Sequence, residues 1–144
     1  LATPAVFEVV ASLFLTVSQL SGYPAPRELP PIHVLSEREM ALRLCDGPCG
    51  VRAYYLDGQG VFLRDDLDIV GDLKARSILL HELVHHAQHE SGRFGGLNAC
   101  ERWFAREDEA YRIQNAYLSG NRTGTRFVFD FPPDRCREPG AVRN

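Results

Sequence analysis

Residues 81–90 read HELVHHAQHE, which places four of the chain's five histidines within about three helical turns. No other stretch constrains the fold as strongly. Asp72 stands where a helix N-cap belongs, and neither Gly nor Pro interrupts the chain until Gly92. The whole run therefore lies on one long helix. Four residues of helix turn the chain by about 400°, so His81 and His85 sit one turn apart and only about 40° off one another. Both imidazoles can reach one ion at about 2 Å. Glu82 lies about 100° round from His81, where a carboxylate takes a proton from water rather than binding the metal. His89 is roughly 12 Å along the axis from His81 and cannot join the same ion. His86 points about 140° away from His81. These two are assigned non-ligand roles, His86 as a packing or solvent residue and His89 at the cleft rim.

Two histidines leave such a site incomplete, because a catalytic zinc takes three protein ligands and keeps one open position. The extension H-E-x-x-H-x-x-G-x-x-H fails here, with Gln88 and Ser91 at its last two defined positions. The third ligand must come from another element. The next helix, opened by Asn98 and Glu101 in capping-box spacing, carries glutamates at 101, 107 and 109. Stepping about 100° per residue from Glu107, the near face holds Cys100, Trp103, Phe104, Ala110, Tyr111, Gln114 and Leu118. A carboxylate in the middle of that apolar stripe is costly unless it is paired or holds a metal. Glu107 is therefore the expected third ligand. Glu109 falls about 200° away, on the side expected to face solvent.

The remaining elements follow from local signals. Val6, Val9, Val10, Leu13, Phe14, Val17 and Leu20 form one helical stripe. This stretch, residues 5–20, reads as a core-packing helix, too short and too interrupted by Glu8 to span a bilayer. A proline-rich connector leads to a short strand at 32–35. Ser36 and Glu39 then form a capping box that opens a helix to Leu44. Residues 51–56 and 61–64 are β-rich and read as a hairpin closed by Asp57-Gly58-Gln59-Gly60. Gly120 marks the end of the last helix, and 127–131 read as one more extended segment. The order of helix, strand, helix, hairpin, two helices and tail makes an α+β fold, expected as one domain over 1–144.

Compartment is read from the cysteines. Cys45 and Cys49 flank a turn-rich spacer, and Cys100 and Cys136 would tie a helix start to the tail. An even count without C-x-x-C spacing favours two disulfides, hence a periplasmic or secreted protein. The start at Leu1 reads as a trimmed product. The formal net charge of -3, with no basic cluster, argues against nucleic acid as a partner.

The motif set now resembles a known family. An H-E-x-x-H helix followed by a helix bearing Glu107-Asp108-Glu109-Ala110 looks like the gluzincin metallopeptidases, with the likeness covering residues 72–118. That resemblance implies a small zincin-like domain holding one Zn2+ by His81, His85 and Glu107, with Glu109 in reserve, and hydrolysing a peptide or protein substrate. Tyr111 stands where such relatives often carry Asp or Asn to hold a ligand histidine. Under this reading Glu82 is the general base, and Tyr111 and His89 are candidates for stabilising the oxyanion. Residues 61–64 could offer an edge for an extended peptide. Asp65, Asp66 and Asp68 form a solvated turn, or would give an acidic rim mildly favouring basic substrates. A non-catalytic metal-containing binding module, or a metal-dependent hydrolase of a non-peptide amide, shares the same residues.

Overall fold

The computed structural model describes residues 3–45, 47, 49–130 and 136. Leu1, the spacer residues Asp46 and Pro48, and Phe131 lie outside the described residues. The architecture is α+β: α1 (Pro4–Ser21), β1 (Ile32–Leu35), α2 (Glu37–Leu44), β2 (Ala53–Leu56), β3 (Gly60–Arg64), α3 (Leu73–Ser91) and α4 (Ala99–Gly120).

Each helix begins on a side chain that satisfies an orphan backbone N–H. Thr3 accepts from Val6 N, Asp72 from Ala75 N and Asn98 from Glu101 N. Ser36 and Glu39 form the full reciprocal box expected of them. At α4 the box is only half made, because Glu101 Oε1 accepts from the Asn98 side-chain amide. The far end of α4 also departs from expectation. Gly120 is still helical, Asn121 is the cap, and Arg122 takes the left-handed turn at φ 59. The amide of Asn121 and the carbonyl of Tyr117 bond across this end, which lets a non-glycine residue close it.

The sheet order is β1-β3-β2, with β1 parallel and β2 antiparallel to β3. The hairpin is present as expected, but residues 61–64 are the central strand, flanked on both sides. They cannot offer an edge to a peptide. The edge beside α3 is β2. Register between β1 and β3 depends on Gly60. It sits at φ +103, and a Cβ there would lie 2.2 Å from the Pro31 carbonyl oxygen, which already accepts from Val61 N. Gly60→Ala is expected to cost more than about 2 kcal/mol. Urea unfolding monitored by circular dichroism reads that loss.

α3 runs through the middle of the domain, and every residue from 79 to 88 is buried. It packs on α1, α4, β2 and β3. α1 contributes Val10, Leu13, Phe14 and Val17 to the core, with Val6 and Val9 half-buried beside them. Leu20, expected on the same stripe, is exposed together with Phe7 and Leu15. By length and composition alone α1 could cross a membrane, so its length does not exclude a span. Ala110 is fully buried, and its small side chain lets α4 come close to α3.

Two disulfides close the expected pairs, Cys45–Cys49 and Cys100–Cys136. They are the product of an oxidising environment. The tail segment through residue 130 forms no strand. It is tied to α4 by its backbone instead. Asn115 accepts from Phe127 N and donates to the Phe127 carbonyl, and the Phe129 ring stacks on Tyr111.

Candidate metal centre

The fold brings His81, His85 and Glu107 to one point. His81 Nε2 lies 3.0 Å from Glu107 Oε2, His85 Nε2 lies 3.3 Å from Glu107 Oε1, and the two Nε2 atoms are 3.2 Å apart. A tetrahedron with arms of about 2.05 Å has edges of about 3.3 Å, which the two Nε2 atoms match, while Glu107 meets each histidine through a different carboxylate oxygen. Among the described residues no fourth His, Cys, Asp or Glu joins the group.

Burial alone would raise the Glu107 carboxyl, but the hydrogen bonds and charge of His81 and His85 outweigh it and hold it well below the usual carboxylate range. Without metal these contacts need a proton on each Nε2, which a bound cation would displace. The tautomers are fixed from behind. Nδ1 of His85 donates to Gln88 Oε1 at 2.9 Å, and Nδ1 of His81 donates to Gln114 Oε1 at 3.0 Å. The amide orientations follow from what lies beyond. Gln88 Nε2 donates to the Arg106 carbonyl and to Glu109 Oε1, and Gln114 Nε2 donates to Ser77 Oγ. With Nδ1 held by the glutamines, each Nε2 is the nitrogen that faces the centre and would offer a lone pair once its proton is displaced. Gln88→Leu and Gln114→Leu should each weaken metal binding by about 10- to 100-fold while leaving the fold intact. Competition with a chromophoric chelator reads that change.

Glu82 is placed differently from the ligands. It is buried, and burial pushes its carboxyl up to about 7, with the His81 charge lowering it, Glu107 raising it and the Tyr55 backbone N–H lowering it. That N–H belongs to the free side of β2, so the sheet edge and Glu82 meet. Two hollows open beside it. The larger, about 400 Å³, is bounded by the 54–57 end of β2 and the first turns of α4, with Arg102, Trp103 and Arg106. The smaller, about 180 Å³, holds Arg52, Ala53, Tyr111 and Phe127. Glu82 lines both.

The other expected residues are distributed as follows. The Tyr111 ring lies 4.4 Å from that of His81, and its phenol is kept protonated by burial and by the charges of Glu107 and Glu82. Tyr54, in the larger hollow, is held protonated by the same influences. His89 is half-exposed, 3.5 Å from Asp57 Oδ1, and lines neither hollow. His86 is buried, edge-on to Phe14 and within 3.1 Å of the Tyr55 hydroxyl. Glu109 is not on a solvated side. It is buried behind the centre, accepting from the Tyr23 hydroxyl and Gln88 and paired with Arg93. The wheel underestimated the buried arc because α4 packs on α1 as well as α3. Asp65, Asp66 and Asp68 line neither hollow. Asp66 pairs with Arg64, and Asp68 accepts from Gly71 N. Those contacts are made within the turn itself.

The reading of the sequence did not identify Gln88, Gln114, Arg106 or Tyr54 as parts of the site. Gln114 carried a signal nonetheless, as an amide on the same buried stripe as Glu107. Arg106 gave none, because its role depends on reaching Asp57 across the cleft with a bidentate grip at 2.9 and 3.1 Å.

No curated protein and no solved structure is detectably similar to this chain. A family model does match, over residues 2–129, and by that match the chain belongs to the family described as Domain of unknown function (DUF6647).

Proposed function

We propose that this protein is a zinc-dependent peptidase of gluzincin type, acting in the periplasm or outside the cell. The observation that carries the reading is the three-cornered set of His81, His85 and Glu107 with Glu82 buried beside it and the β2 edge alongside. A purely structural zinc is ordinarily closed by four protein ligands, and needs neither an open position nor a neighbouring base. When bound, zinc supplies Lewis acidity towards a carbonyl oxygen and towards water.

The chain's own residues do the rest. His81, His85 and Glu107 hold the ion with a net positive charge, since both imidazoles are neutral at Nε2 and only Glu107 is anionic. Glu82 accepts the proton of the attacking water at its carboxylate and returns it to the leaving amine. The outward edge of β2, through the Ala53 backbone and the Tyr55 carbonyl, pairs with an extended peptide and sets its direction past Glu82, which holds the Tyr55 N–H. The Tyr54 and Tyr111 phenols, one in each hollow, stay protonated and are available as donors to a developing oxyanion. Gln114 does for His81 what an Asp or Asn at position 111 does in gluzincins.

The test is zinc stoichiometry on purified protein together with hydrolysis of a mixed peptide library. One zinc per chain and zinc-dependent cleavage are expected. A chain that binds zinc stoichiometrically yet cleaves nothing would leave a binding module.

A further inference from the structure

The two hollows beside Glu82 differ in size but share one property: apart from Glu82, which lines both, each keeps one arginine without a carboxylate partner. In the larger, Asp57 is neutralised by the bidentate grip of Arg106, and Glu107 belongs to the ligand set. Arg106 is itself fully engaged, with Nε on Gln88 and Nη2 also directed at the His85 carbonyl. Arg102 is not. It makes one hydrogen bond, from Nη1 to the Leu97 carbonyl, and otherwise faces the hollow. In the smaller hollow Arg52 makes no side-chain hydrogen bond or ion pair among the described residues. Asp66 acts on it only at longer range. The remaining walls mix rings and apolar side chains, Tyr54 and Trp103 on one side and Ile78 and Phe127 on the other, with the amides of Gln59 and Gln114. The apolar parts exclude water and strengthen an ion pair formed against them. The chain as a whole carries a net charge of -3, so a cleft with such an arginine on each flank runs against the surface around it.

We infer that this cleft selects peptides with an acidic side chain on each side of the bond to be cleaved, recognised by Arg102 in the larger hollow and Arg52 in the smaller. The inference rests on the peptidase reading for what lies between the two arginines. It reverses the basic preference that the aspartates at 65, 66 and 68 suggested from sequence.

Binding tests it without turnover. The zinc-loaded full chain carrying Glu82→Gln is titrated with three blocked peptides, identical except for Glu, Gln or Lys at the two flanking positions. Trp103, the chain's single tryptophan, lines the larger hollow and reports binding by its fluorescence. The Glu peptide should bind about fivefold more tightly than the Gln peptide. The Lys peptide should bind most weakly, and the preference should shrink as salt is added. Arg102→Glu and Arg52→Glu should each invert the preference at one position, and the milder Arg102→Gln should erase it there. Equal affinity for all three peptides, no binding of any, or a preference untouched by both charge reversals overturns the inference. Its failure is separable from that of the peptidase reading. Wild type that cleaves acidic and neutral peptides equally well overturns the charge selection alone, whereas charge-selective binding with no cleavage overturns the peptidase alone.

Discussion

Replacing Glu82 with glutamine is expected to lower peptide hydrolysis by about 10²- to 10⁴-fold while one zinc stays bound per chain. Glutamine matches the shape of the buried side chain, and its carbonyl oxygen can still accept from the Tyr55 N–H. It cannot take a proton from water. Steady-state rates beside zinc analysis of the same sample check both halves, and a variant that cleaves as well as wild type removes Glu82 from the mechanism. The pH profile carries the same residue. Glu82 must be ionised to act as a base, so activity should fall as the solution is acidified through its pKa. Burial sets that value at about 7 without metal, and a bound cation draws it downwards. Stability shows the opposite face of the shift. A carboxyl raised in the folded state contributes fully below its ordinary value of 4.5, and that contribution is lost as pH rises through about 7. The metal-free Glu82→Gln protein should therefore gain on metal-free wild type across this window, by on the order of 3 kcal/mol at its upper end. Denaturation midpoints measured at several pH values read that difference.

The second large effect concerns Glu107. Glu107→Ala should reduce zinc affinity by well over the 10- to 100-fold expected when a supporting partner such as Gln114 is lost. It removes one of three ligands and the only anionic one. Glu109→Ala should behave otherwise. The ligand set survives, but the Tyr23 hydroxyl, the Gln88 amide and Arg93 lose a shared acceptor inside the fold. A loss of about 1–3 kcal/mol in stability is expected, with zinc retained at a weaker affinity because Gln88 is less firmly held. Chelator competition and thermal melting on the two variants separate the roles. Undiminished affinity in Glu107→Ala would move the third ligand elsewhere.

Much of this was legible in the sequence because it depends on neighbours along the chain. Asp72, Ser36 and Asn98 fix helix starts through bonds to residues three positions on, and the i, i+4 histidines converge wherever their helix lies. The central position of β3 was not legible, since the parallel pairing of β1 across an intervening helix leaves no mark on 61–64 themselves. Glu109 was misjudged for a related reason. A single helix shows where its apolar residues are, but not how many neighbours enclose it, and a buried carboxylate with three partners looks the same in sequence as a solvated one.

The two histidines of the candidate centre are held by supports of different chemistry. Behind His81 stand Gln114 and Ser77, neither of which titrates. Behind His85, Gln88 leads to Glu109, Arg93 and Tyr23, a chain that ends in charge. High salt, which screens the half-exposed Arg93, therefore reaches the centre unequally. His85 should lose its alignment first, with His81 still in place, so that the site loosens from one corner rather than opening all at once.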